Sequence, residues 1–325
     1  MHFLGSTLNL AGLSLLSTIV EENEDPRLRK RLSVALIQGF SCASCWSPFY
    51  VGVVVVLFSL PELRWSDVAP AAILMAVALM FTSWIYDKLI YRRRETSDIR
   101  TARYELHRSV KIYTCVILFS LIGITIGMVE FAQVTIPVAL GLVAPPFSVF
   151  WYCSSCRTVQ QMTFRAGDLI THTMRTIPTL RNETLIFVAA NVLGVGVASV
   201  APSEHIGSYV NGLLPWPDVK IAVMCATFIF CGMIGLHPVI IVILISAVIP
   251  PESIGLSNWI VGLIYLGTWG LSTMVSPFSA TTLFMSRTAG VSPRIIGWHW
   301  MSPVAILGGI VIAFIIISFR HLFAL

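Results

Sequence analysis

Two segments far apart in the chain place hydroxyl side chains around a proline inside an apolar run. Ser44–Phe49 reads Ser-Cys-Trp-Ser-Pro-Phe; Met274–Phe278 reads Met-Val-Ser-Pro-Phe and is followed by Ser279, Thr281 and Thr282. Proline removes a backbone donor and its ring clashes with the preceding turn, so each Ser-Pro-Phe predicts a broken helix. An unwound helix exposes amide donors where one half begins and carbonyls where the other ends. The donors suit the oxygens of an anion; the carbonyls and hydroxyls suit Na⁺. Ser6, Thr7 and Asn9 with Ser44 and Ser47 form one candidate cluster, and His237 with Ser276, Ser279, Thr281 and Thr282 forms the other. His237 titrates near neutrality, so it is a candidate to bind a carboxylate when protonated or to relay a coupling proton; a neutral cap of the local turn is the alternative. For each hydroxyl the alternative is a bond back to its own helix backbone.

The elements that must position these groups are membrane helices. Hydrophobic residues make up 56% of the 325 and charged residues only 11%, with a mean hydropathy of +0.83. A soluble domain carries about 25% charged residues. The net charge of +5 has no soluble domain on which to meet nucleic acid, so no nucleic-acid partner is expected and the lipid bilayer is the first partner. Apolar runs occur near 32–60, 68–90, 112–131, 134–152, 185–200, 221–249, 259–285 and 295–319, with a shorter one at 7–20. All but Arg64, Lys220 and Arg320 of the 21 Lys and Arg fall in four polar segments, 21–31, 87–111, 157–181 and 287–294. By the positive-inside rule these are cytoplasmic, in a multi-pass protein of the plasma (inner) membrane. Segment 157–182 mixes apolar and polar residues as an amphipathic surface helix or a polar connection would.

Threading the runs between these segments leaves one conflict. Both 202–218 and 250–258 lack Lys and Arg, so 221–249 must leave and return on the same side. A re-entrant hairpin with its turn at Gly235-Leu236-His237-Pro238 meets that requirement, with Gly and Pro as the expected breakers. The second half then reads as three helices, a hairpin, a broken helix and a final helix. The first half has only the tail of that order: 7–20 as a returning hairpin arm, 32–60 as a broken helix, 68–90 as a closing helix. The hairpins enter from opposite faces, an inverted-topology repeat. The expected division is an incomplete first repeat (1–95), a cytoplasmic linker (96–111) and a complete second repeat (112–325). An outgoing hairpin arm and about three helices are expected upstream, which would make the sequence a fragment.

This layout resembles the ion transporter superfamily, in particular the divalent-anion:sodium symporters. In those families each hairpin tip carries a short polar motif, typically Ser-Asn-Thr, and each broken helix a Thr-Pro-Pro-Asn-like break. Here Gly5-Ser6-Thr7-Leu8-Asn9 and Gly235-Leu236-His237-Pro238 stand at the tips, with Ser47-Pro48-Phe49 and Ser276-Pro277-Phe278-Ser279 at the breaks. Ser-Asn-Thr is intact at neither tip, and His237 has no counterpart in the motif. The resemblance implies an all-α polytopic transporter with elevator-like movement, a small organic anion such as a carboxylate as substrate, and coupling to Na⁺ or H⁺. No cofactor is implied beyond Na⁺ as coupling ion, no catalytic residue, and a homodimer as the assembly.

Two alternatives compete with transport. Cys42/Cys45 and Cys153/Cys156 form CxxC pairs that a membrane thiol or redox enzyme would use, although one lies inside an apolar run and the other at the end of one, where small-residue packing accounts for them. A nonfunctional transporter fragment is the other. No metalloprotease signature, nucleophile elbow or phosphate loop occurs.

Overall fold

The computed structural model describes residues 2–8, 10–90, 108–154, 156, 158–200 and 203–323. No strand occurs among the described residues. In chain order the helices are α1 (His2–Leu8), α2 (Leu10–Glu21), α3 (Pro26–Ala43), α4 (Val51–Ser59), α5 (Trp65–Ile90), α6 (Arg108–Ala132), α7 (Ile136–Cys153), α8 (Val159–Thr176), α9 (Arg181–Val200), α10 (Ser203–Leu213), α11 (Pro217–Met233), α12 (Pro238–Val248), α13 (Asn258–Val275), α14 (Ala280–Ala289) and α15 (Ser302–Phe323). A π-helical turn, Ile295–Met301, leads into α15. Proline sets several starts: Pro26, Pro217 and Pro238 each open a helix, where a missing N–H costs nothing. Asp25 caps α3 by accepting from Arg27 N at 2.9 Å.

Four stretches are long and apolar enough to cross a bilayer: Trp65–Ile90, Cys115–Ala132, Asn258–Ala289 and Ile295–Phe323. The pair His205–Leu213 and Pro217–Met233, bent by 103°, gives a fifth if taken as one span. The protein is thus an all-α membrane protein. The stretch 203–213, expected as part of a polar outside loop, is helix α10. Its Ser, Glu, His and Asn residues masked an otherwise unbroken helical segment.

By compactness the chain forms two units. One unit comprises Met1–Arg93 and Phe187–Leu325, the other Arg94–Ile186. In the first unit α13 is central: every residue from Ile260 to Val275 is buried, so α13 carries apolar residues on every face. Trp269, Tyr265, Phe40 and Phe228 are its largest fully buried side chains. Side-chain pairs sort the two ends of this unit. At one end Arg31 pairs with Asp87 at 2.5 Å, Lys30 Nζ lies 5.7 Å from the Trp300 ring centre, and Lys88 Nζ lies 3.9 Å from that of Trp84. At the other, Trp259 Nε1 donates to Asp67 O at 2.9 Å, Asn258 donates to Glu62 and Glu252, and Arg320 pairs with Asp218 at 2.8 Å. Tryptophans mark both ends, as membrane interfaces favour.

In the second unit α6 packs on α7 and α7 on α8. Thr158 Oγ1 caps α8 by accepting from Gln161 N at 3.3 Å, and Arg165 stacks over the Tyr152 ring at 5.5 Å. Helix α8 buries no residue among those described, so the amphipathic segment of the sequence is a helix lying on the surface of its unit.

Candidate functional site

Both predicted breaks are present. Helix α3 stops at Ala43 and the chain resumes as α4 at Val51; α13 stops at Val275 and resumes as α14 at Ala280. The approach to the first break tightens into three-residue hydrogen-bonded turns, Ser44 N to Ser41 O at 3.2 Å and Cys45 N to Cys42 O at 3.4 Å, before Pro48 removes the next donor. At the second, Ser276 is extended (φ −73°, ψ 121°), the conformation forced on a residue that precedes proline.

The two breaks share their bonding in register. Phe49 N donates to Ser47 Oγ at 3.3 Å, and Phe278 N donates to Ser276 Oγ at 3.4 Å. Three residues earlier, Ser44 Oγ donates to Ser41 O at 2.7 Å, and Thr273 Oγ1 donates to Gly270 O at 3.0 Å. The same sequence separation relates all four pairs, so the likeness extends over a full helical turn beyond Ser-Pro-Phe. The helices also touch there. A Cβ on Gly270 would clash with the Ser41 carbonyl oxygen and stand 2.6 Å from Ser44 Oγ, so only glycine permits this approach of α13 to α3.

The α11–α12 hairpin reaches both breaks. Its turn needs Gly235, at φ +96°, and that glycine lies under the Phe278 ring. His237 follows: its Nδ1 accepts from Val239 N at 3.3 Å, capping α12, and its ring meets Trp269 edge-on at 6.2 Å. Trp269 in turn covers Gly52 at the start of α4. No hydrogen bond links His237 to Ser276, Ser279, Thr281 or Thr282 among the described residues; the contacts of its ring lead toward the first break. Lys220 on α11 donates to Ile254 O at 2.6 Å, so the arm that leaves at Pro217 returns beside its own start.

The first cluster is assembled in part. Ser47 Oγ donates to Ser6 O, tying the break to α1, while Ser6 Oγ bonds back to Phe3 O at 2.9 Å. Ser6 and Thr7 lie within α1 and not in a turn, because His2–Leu8 contains no proline to interrupt it. Asn9 lies outside the described residues. The second cluster is compact: Ser279 caps α14, its Oγ 3.0 Å from Thr282 Oγ1 and 3.2 Å from Thr282 N, and Thr282 Oγ1 reaches Ser276 O at 2.5 Å. Thr281 is buried beside them. Three oxygens, Ser276 O, Ser279 O and Ser279 Oγ, thus converge on the Thr282 hydroxyl.

Three groups outside the sequence prediction stand out. Gln38 Nε2, Ser41 Oγ and Ser272 Oγ are buried polar atoms with no hydrogen-bond partner among the described residues. Gln38 and Ser41 share a face of α3 one turn before the first break; Ser272 lies against Gly232 of the hairpin. Gln38 is the large polar side chain within the run 32–60, a signal that could have been taken up. The CxxC cysteines are all free; Cys42 and Cys45 are buried in the first unit, and Cys153 and Cys156 belong to the second. No group of three or more metal-ligating His, Cys, Asp or Glu occurs among the described residues. Compared with protein-family models and with curated proteins, the chain matches none.

Proposed function

We propose that the protein is a secondary active transporter of a small organic anion, a carboxylate, driven by a Na⁺ or H⁺ gradient. The observation that carries this is the equivalence of the breaks at Ser47 and Ser276, which share a serine–phenylalanine turn, a preceding back-bonded hydroxyl and a common crossing point at Gly270. Matched interruptions in two halves of a membrane protein are the arrangement transporters use to bind solute near the bilayer midplane. The half-helix starts at α4 and α14 offer amide donors to an anion, and the oxygens around Thr282 offer a seat for a cation.

In this proposal the two breaks belong to inverted repeats, and α11–α12 is a re-entrant hairpin that moves with α3, α4, α13 and α14 in an elevator-like step. The bond from Lys220 on the leaving arm to Ile254 O, beyond the returning arm, and the Gly235–Phe278 contact at the tip support that grouping. The basic segments 21–31, 87–111, 157–181 and 287–294 face the cytoplasm, following the charge bias. The test is uptake into proteoliposomes of the full chain with a panel of labelled mono- and dicarboxylates, under imposed Na⁺ or proton gradients. Uptake that follows one gradient and collapses with its ionophore is the expected result. Absence of uptake under both gradients across the panel overturns the proposal.

A further inference from the structure

On the outer face of α11 and α15 lies an open apolar groove of about 470 Å³. Its floor is small: Ala222 and Ala226 on α11, Gly309 and Ala313 on α15. Gly309 is small because Ile229 fills the position where its Cβ would stand, so the helices touch along the floor. Phe230 and Phe314 form rims, 61% and 71% exposed. From Ala222 to Met233 the groove runs about 16 Å at 1.5 Å per residue. That is close to one leaflet's share, about 15 Å, of the hydrocarbon core.

The groove has a polar end and an apolar end. Asp218, one turn before Ala222 on the same face of α11, accepts from Arg320 Nη1 at 2.8 Å and contacts His321 Nε2 at 2.9 Å. Arg320 continues the α15 stripe one turn beyond Ile317. Its bond to Asp218 uses one guanidinium donor of five, and its side chain remains 23% exposed with that of His321 at 62%. The depth of this cluster is indicated independently: Trp259 meets Phe319 and Phe323 edge-on, with the three ring centres 5.8–6.0 Å apart, the aromatic signature of the interface. An apolar furrow one leaflet long that ends in an arginine at headgroup level fits a phospholipid, with one acyl chain in the groove and its phosphate on Arg320.

We propose that this face retains a bilayer phospholipid as a bound, oriented ligand. Nothing in this depends on transport. The test is native mass spectrometry of the full chain released from nanodiscs that contain phosphatidylglycerol and, separately, diacylglycerol with the same chains. Phosphatidylglycerol is expected to stay bound about tenfold more than diacylglycerol, since charge-assisted bonds to phosphate are the difference. In Arg320→Gln that preference is expected to vanish. In Ala226→Trp, whose bulk enters the exposed groove and not the core, both lipids are expected to leave. Equal retention of the two lipids, or an unchanged preference in Arg320→Gln, overturns the proposal. So does a dimer that Ala226→Trp converts to monomer, which would assign the groove to a second copy. Thermal melts of both variants that match the parent show that lost lipid is not lost fold.

Discussion

The two breaks are built alike but held differently. At the first, seven residues separate α3 from α4, Tyr50 offers α4 no side-chain cap, and Ser47 Oγ reaches out of the break to the carbonyl of Ser6 on α1. At the second, four residues separate α13 from α14, Ser279 caps the new helix, and Thr282 turns back to Ser276 O. One break leans on another element and the other is closed by its own downstream turn. The first therefore depends on α1 for its geometry, while the second carries its geometry within itself.

Substitutions that act on this contrast rank in order of effect. The largest falls where the breaks meet. Gly270→Ala sets a Cβ against the Ser41 carbonyl and should cost about 3 kcal/mol, since backbone cannot yield as a side chain can. In a melt of the purified protein this is a fall of about 10 °C. Gly123→Ala, where a Cβ meets nothing within 4 Å, should leave the melt unchanged and serves as the matched comparison. A G270A melt equal to that of G123A would dissolve the crossing as a structural constraint.

Next come the paired serines. Ser47→Ala strands the Ser6 carbonyl and should cost about 1–2 kcal/mol; Ser276→Ala loses only a bond within its own turn and should cost about 0.5 kcal/mol. Equal losses would mean that the first break does not depend on α1. The smallest effect is expected at the hairpin. His237→Asn keeps an acceptor for Val239 N and should match the parent in stability, whereas His237→Ala should lose about 1 kcal/mol with the cap. Proteoliposome uptake that survives in H237N removes the imidazole's protonation from coupling.

Sequence made the breaks legible where proline coincides with a polar neighbour: Pro48, Pro238 and Pro277 stop or start helices, whereas Pro70, Pro145 and Pro146 lie inside α5 and α7. The turn at Gly235 was legible from Gly235 and Pro238 together, and the long apolar helices α5 and α15 from the length of their apolar runs. What did not show in the sequence depends on distant contacts. That His237 turns toward Trp269 and not toward Ser276 follows from how the hairpin seats across α13, which no periodicity encodes. The link from Ser47 to Ser6 and the unpartnered amide of Gln38 are likewise results of packing. Helix α10 was hidden because its Ser, Glu, His and Asn residues dilute the apolar pattern by which membrane helices are found.

The π-helical turn Ile295–Met301 acts on the groove from a distance. A π turn accommodates one residue more than an α turn, and one residue corresponds to about 100° of rotation. Gly297 within it lies against the carbonyl of Val275 at the end of α13, Trp298 donates to Met233 O at the hairpin tip, and Ser302 closes it by donating to Gly297 O at 3.0 Å. The extra residue sets the phase of everything after it. It decides that Gly309, Ala313 and Arg320 look out along α11, where a regular α-helical start would have swung that stripe about a quarter turn toward a different neighbour. The second break, the hairpin tip and the lipid-facing surface are thus tuned by a single turn of backbone, like the peg that sets the pitch of a string along its whole length.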